Sequence, residues 1–356
     1  MVLAAYLVGA RNEHHGQGSF AGVASAQGLY REINTFLGMS PSVCSREDVE
    51  VHVVHDVPSA MNVSEYRGVQ LHGFEPDASY LGGDRRWGLY QRLLQAATNK
   101  TMWSCVWALD LDVAAISVPP CGSLEHSALY LGSDGCSPKV MSWLNKASTH
   151  TLLNRTWGQR YRSFLANRSH PIYNSGIIGG RRSVWTAALK AVVDRLEAHR
   201  ASSHESVRHV VGADMLLWNW AAISWRHSRG HGGRPISIVT GYPRGPVNFP
   251  MWAKLPSALG TMCPPHLAPD GVRPCNSQCG YEWLNHTAPG AYWFGHKLPR
   301  SWLNLVRLRA CFPEAAARAR GADVLRRVGG GKLLCECPSV GATRMSVGAP
   351  NLLSSV

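Results

Sequence analysis

The chain of 356 residues has no apolar run long enough to cross a bilayer as a helix. It has no Cys-x-x-Cys pair and no paired Cys/His spacing, so a structural zinc site is not expected. It also has no long basic run, although 36 Lys and Arg against 23 Asp and Glu give a formal net charge of +13. The basic residues come singly or in pairs, such as Arg85 with Arg86, Arg181 with Arg182 and Arg326 with Arg327. They do not alternate with aromatics as on a strand-binding platform, so no nucleic-acid partner is expected, and phosphate on a small ligand accounts for the charge at least as well. Residues 1–9 are apolar but short and lack a basic start, which reads as a first strand rather than a signal peptide. Any membrane association is expected only through a segment absent from this sequence.

What is present is an ordinary globular composition, 45% hydrophobic and 17% charged, with enough length for a large core. Ten cysteines make an even number, open to pairing in an oxidising compartment. Cys263, Cys275 and Cys279 lie in a Pro- and Gly-rich stretch, and Cys335 and Cys337 near the C-terminus, so disulfides are expected without a readable connectivity. Cys105, inside an apolar run, reads as a plain buried thiol. Asn62, Asn99, Asn154, Asn167 and Asn285 each begin an Asn-x-Ser/Thr acceptor triplet, against the roughly two that chance predicts. With the cysteines, this favours the lumen of the secretory pathway, Golgi included; a cytoplasmic home stays open.

Apolar periodicity predicts a strand at 2–8, a polar Gly-rich loop at 9–18 and a helix at 20–37. Strands follow at 49–55 and 68–74, a helix at 84–97, and an apolar stretch at 101–118 closed by Pro119-Pro120. The order β-α-β-β-α-β implies an α/β fold with a mostly parallel sheet flanked by helices, whose ligands bind at the carboxyl ends of the strands. A strand at 129–132 leads to Asp134, read as a turn former. Later come a strand around 172–178, helices after Ser183 and from Asp214, and strands at 236–240 and 291–297. Residues 138–169 and 242–290 read as irregular surface insertions, and 313–356 as an Ala/Arg-rich helix with a mobile tail.

Within that order, Asp110-Leu111-Asp112 stands out. Residues i and i+2 of a strand point the same way, so both carboxylates are expected to project together at the end of a buried strand. Like charges held together are costly, and a hard divalent cation relieves the cost by taking oxygen ligands. The alternative is a pair of solvated acids in a turn. Asn174, in Tyr173-Asn174-Ser175-Gly176-Ile177-Ile178-Gly179-Gly180, carries an amide suited to hydroxyl recognition or is an ordinary turn residue. Asp214, after Gly212-Ala213, is either a helix cap or a site acid. His296-Lys297 closes an aromatic strand, where a metal ligand beside a phosphate contact would sit.

Taken in this order and spacing, the four motifs resemble those of nucleotide-sugar-dependent glycosyltransferases of the GT-A fold, the Asn-Ser-Gly-x-x-Gly-Gly piece particularly the glycogenin and galactinol-synthase-like group. The likeness covers roughly residues 1–305. It implies one elaborated GT-A-like (Rossmann-like) domain over 1–312, with a nucleotide-binding half at 1–120 and an acceptor half at 121–312. It implies that Asp110, Asp112 and His296 hold Mn2+ (or Mg2+) on the diphosphate of a nucleoside-diphosphate sugar, with Lys297 on a phosphate. Ala10, Arg11 and Asn12 would meet the nucleoside, and Asp84 and Arg85 the donor sugar or diphosphate. Asn174, Gly179 and Gly180 would line the sugar and acceptor pocket, and Asp214 would lie near the reacting carbon. The acceptor would be a hydroxyl of a glycan or glycoprotein. Two other readings stand beside it. One is a haloacid-dehalogenase-type phosphohydrolase, which also carries Asp-x-Asp after an apolar strand but near its N-terminus; the other is a non-catalytic carbohydrate-binding protein of the same fold.

Overall fold

The computed structural model describes residues 1–7, 25–40, 43, 46–76, 82–96, 103–133, 173–201, 213–227, 236–239 and 293–296. The elements in chain order are β1 (Val2–Tyr6), α1 (Ala26–Met39), β2 (Val51–His55), β3 (Glu65–Tyr66), β4 (Val69–Gly73), α2 (Gly82–Ala96), β5 (Cys105–Leu109), β6 (Val113–Ser117), β7 (Ala128–Ser133), β8 (Tyr173–Arg181), α3 (Arg182–Ala201), α4 (Ala213–His227), β9 (Ser237–Val239) and β10 (Trp293–His296).

Short runs rich in Val, Ile and Leu form the strands, because branched side chains pack well on a pleated surface covered from both sides. They build an eight-stranded mixed sheet in the order β3-β4-β2-β1-β5-β8-β7-β9. The pairs β1–β2, β1–β5, β2–β4 and β7–β9 are parallel; β3–β4, β5–β8 and β7–β8 are antiparallel. The chain therefore runs outward from β1 through β2 and β4, then returns past β1 to begin the other half with β5. This reversal of strand order makes a crevice at the carboxyl ends of β1 and β5, where α/β sheets bind ligands.

Strand alternation divides the core in two. Leu3, Val106, Ala108 and Ile178 face α2, α3 and α4, packing on Trp87, Tyr90, Trp185 and Trp218. Val2, Ala4, Trp107 and Ile177 face the other side, where α1 lays down Leu29, Ile33, Phe36 and Leu37. Those four recur at helical spacing, and Ser25 caps the helix by accepting from Gly28 N at 3.2 Å. Among the described residues no helix is long and apolar enough to cross a membrane.

The apolar stretch 101–118 is not one strand. The ladder of β5 stops at Leu109, the Val113 amide donates to the Asp110 carbonyl at 2.9 Å, and β6 leaves the main sheet to pair with β10. Two carboxylates cannot continue a strand buried on both faces, so the chain turns where they occur. Cys105 is likewise no free thiol. It is bonded to Cys121, 16 positions on and 5.6 Å away between Cα atoms, because Pro119-Pro120 brings the chain back to the start of β5. The bridge closes the loop that carries Asp110 and Asp112. A closed loop of that length stabilises by about 3 kcal/mol, so Cys105→Ser with Cys121→Ser is expected to lower the urea midpoint correspondingly. An unchanged midpoint, with and without reductant, would contradict the bridge.

At the far end of β2 and β4, His52 Nδ1 and His72 Nε2 lie 3.0 Å apart, and His52 Nε2 meets Glu50 Oε2 at 3.2 Å. Trp103 Nε1 donates to the same Glu50 oxygen at 2.8 Å and its ring stands edge-on to His52. Burial, and then the charges of His52 and His55, lower His72 to about 4. Burial also lowers His52, against the pull of Glu50. The unfolded chain thus binds more protons than the folded one between about pH 6.5 and 4, so stability falls as pH drops through that window. His72→Gln should flatten the stability profile there by on the order of 2 kcal/mol; parallel profiles for the two proteins would contradict a neutral His72 half-buried against His52.

Candidate functional site

The first turn of α2 delivers Asp84, Arg85 and Arg86 to the carboxyl edge of the sheet. Their side chains diverge around the helix, and the structure gives them different partners. Arg85 turns to the ends of β2 and β4. Its Nη1 donates to Asp56 Oδ2 at 3.2 Å and its Nη2 to the Glu75 carbonyl, with both Arg85 and Asp56 buried. A guanidinium fixed in this way ties two strand ends together. Arg85, expected to approach the donor sugar or diphosphate, is engaged here by Asp56 and Glu75.

Arg86 was prominent in the sequence only as half of a charge pair, and it is the residue at the centre. Its Nη1 donates to Asp110 Oδ1. Its Nη2 donates to Asp214 Oδ2 at 2.7 Å and to Ser175 Oγ at 3.2 Å, and lies 3.4 Å from the Ser175 carbonyl. Its guanidinium carbon sits 4.5 Å from the centroid of the Trp87 ring, a cation–π arrangement. Burial works to strip the proton from Arg86, and the charges of Asp110 and Asp214 outweigh it, so the guanidinium is held charged. The signal in the sequence was Asp84-Arg85-Arg86 opening a helix with otherwise apolar spacing; only the fold shows which arginine faces the aspartates.

Asp214, in the first turn of α4, is 6% exposed and accepts from Ser175 Oγ at 3.0 Å as well as from Arg86. Its backbone amide donates to Asp84 Oδ1 at 2.8 Å, so Asp84 caps α4 from another helix. Burial, and then the charge of Asp214, push the Asp84 carboxyl well above the usual carboxylate range, while the bond from the Asp214 amide and the Arg86 charge pull the other way. Asp84 is thereby held, buried, against the first turn of α4. Tyr90 Oη and Arg86 Nε are buried here without a hydrogen-bond partner among the described residues.

Asp110 lies one residue beyond β5, with its side chain about a quarter exposed (26%), and its amide donates to the Gly176 carbonyl at 2.9 Å. Asp112 is exposed on the same turn. The antiparallel ribbon of β6 and β10 sets His296 opposite Val113, next to Asp112. The turn thus carries two carboxylates beside the backbone position of His296, oxygen donors of the kind a hard divalent cation takes. Among the described residues no cluster of three His, Cys, Asp or Glu side chains forms a metal site; the His296 side chain lies outside them.

Gly179 and Gly180, expected at a sugar pocket, have a packing reason within the sheet. Both are buried in mid-sheet, between Trp107 and Val106 of β5 and Tyr130 and Leu129 of β7. A Cβ on Gly179 would stand 2.1 Å from the Trp107 ring, and one on Gly180 2.9 Å from the Ala128 carbonyl. The space goes to Trp107, whose ring packs 4.6 Å from Phe294 of β10. Gly179 therefore makes the room in which Trp107 supports β10 through Phe294. Asn174 pairs through its backbone with Gly132. The neighbouring Tyr173 is clamped by Asn219 of α4, which accepts from its amide at 2.9 Å and donates to its carbonyl at 2.7 Å. The Asn174 side chain, Ala10, Arg11, Asn12, Lys297, Asp134, residues 138–169, 242–290 and 313–356, and Cys263, Cys275, Cys279, Cys335 and Cys337 lie outside the described residues.

Compared with protein-family models and with curated protein sequences, the chain finds no match.

Proposed function

We propose that the chain is a metal-dependent glycosyltransferase of GT-A-like architecture, moving a sugar from a nucleoside-diphosphate sugar to a hydroxyl of a glycan or glycoprotein. The observation that carries this reading is the convergence of Asp110, Arg86 and Asp214 on the carboxyl edge, where the strand order reverses, with Asp112 exposed on the same turn.

Departure of a nucleoside diphosphate builds negative charge on the leaving oxygens. A divalent cation held by Asp110 and Asp112, with His296, would act as Lewis acid there. Arg86, charged and placed between Asp110 and Asp214, adds a fixed positive charge on the same edge. Asp214 is held in one orientation by Ser175 and Arg86, suited to directing a sugar hydroxyl or the reacting carbon. The Cys105–Cys121 bridge and the exposed turn position of Asn62 support an oxidising, glycosylating lumen as its home.

The reading is tested by incubating the protein with Mn2+ and a panel of nucleoside-diphosphate sugars and following release of nucleoside diphosphate. Slow metal-dependent release from one or two donors supports it. Cleavage of a generic phosphate ester with no preference for nucleotide sugars supports the phosphohydrolase instead, and glycan binding without metal supports the carbohydrate-binding protein.

A further inference from the structure

The two arms of the Arg86 guanidinium are not equivalent. Nη2 is anchored at the closed side by Asp214 Oδ2, Ser175 Oγ and the Ser175 carbonyl, with the Asp214 side chain only 9% exposed. Nη1 reaches the open side, to Asp110, whose side chain is 26% exposed. The Trp87 ring face at 4.5 Å supports the guanidinium, and the helix beneath it is packed through Trp87 and Tyr90. Breaking the Asp110 bond therefore leaves the other three contacts and the ring contact in place. A guanidinium and a divalent cation both seek the Asp110 carboxylate.

We propose that Arg86 is a resident counter-cation that competes with the divalent metal for Asp110, so that metal entry draws Asp110 away from Nη1 and leaves that donor open to the crevice while Nη2 stays on Asp214. This rests on the metal-dependent reading above. Its consequence is ordered loading. Without donor, Arg86 holds Asp110 and weakens metal binding. With donor, the freed arm gains an anionic partner, and metal and donor bind with positive coupling.

The test measures Mn2+ affinity by electron paramagnetic resonance, without nucleotide, on the folded wild-type chain and on Arg86→Met, Arg86→Lys and Asp110→Asn. Arg86→Met should bind Mn2+ about tenfold more tightly, since one competing charge is gone. Arg86→Lys, a single point charge that cannot span both acids, should fall between. Asp110→Asn should lose the site. Adding a nucleoside diphosphate should tighten Mn2+ binding in wild type more than in Arg86→Met. Equal or weaker Mn2+ affinity in folded Arg86→Met overturns the competition; if that variant does not fold, equal affinity in Arg86→Lys overturns it. Wild-type binding that depends on Asp110 but not on Arg86 defeats this inference alone. No Mn2+ binding by any folded variant defeats it together with the metal-dependent reading.

Discussion

Gly179→Ala is expected to destabilise the protein by about 3 kcal/mol or more, because overpacking against a rigid ring leaves no cheap relaxation. The added Cβ would stand 2.1 Å and 2.4 Å from two atoms of the Trp107 ring, and Trp107 is itself 1% exposed. The ring cannot swing away, since Phe294 at 4.6 Å and Tyr130 at 5.8 Å bound it. The loss should appear in urea unfolding as a lower midpoint at nearly constant slope. Trp107→Leu in the same chain should recover part of it, and the double-mutant cycle should give a coupling well above the roughly 0.5 kcal/mol of independent sites. A Gly179→Ala loss below about 1 kcal/mol would mean that Trp107 does not occupy this space.

The second large effect is on activity. Asp110→Asn should lower donor turnover by roughly 10²–10³-fold, the scale of removing one preorganised electrostatic partner from a developing anion. The side chain keeps its shape and can still accept from Arg86 Nη1, so the stability cost should stay near 1–2 kcal/mol. Folding and function are thereby separated, in contrast to Gly179→Ala, where both fall together. Glu125→Gln, an exposed acid near the start of β7, serves as the charge-matched control and should leave turnover unchanged. Asp110→Asn turnover within threefold of wild type would remove Asp110 from the proposed chemistry.

Much of the architecture was legible from local pattern. The apolar periods placed α2, β2, β4, β7 and β9 within a few residues and found α1, which begins at Ala26 rather than at 20, and the β-α-β-β-α-β order implied a mostly parallel sheet. Those features are written in side chains that are neighbours in sequence. Partner choice is not. Nothing local to residues 173–181 says that β8 inserts antiparallel between β5 and β7, or that β6 abandons the sheet for β10. The same limit governs the site. Asp110 and Asp112 were visible because two acids interrupt an apolar run, and Asp214 because it opens a helix. Arg86 joins α2 to residues 24 and 128 positions away, a meeting that only the sheet order creates. Gly179 and Gly180 drew notice as part of a strand motif, but Gly179 makes room for a tryptophan on the neighbouring strand, and Gly180 lies against the Ala128 carbonyl on the other. Cys105 looked inert because its partner lies beyond the turn that carries the aspartates.

The central claim is that the Asp110–Asp112 turn holds a divalent cation that engages a diphosphate. It is tested most directly by the thermal midpoint of the protein with Mn2+ and a nucleoside diphosphate together, against either alone, in wild type and in Asp110→Asn with Asp112→Asn. The account predicts a rise of several degrees that needs both ligands in the wild type, as binding to the folded state requires, and no such rise in the double variant. A rise of equal size in the double variant, or none in the wild type at saturating concentrations of both ligands, would contradict it.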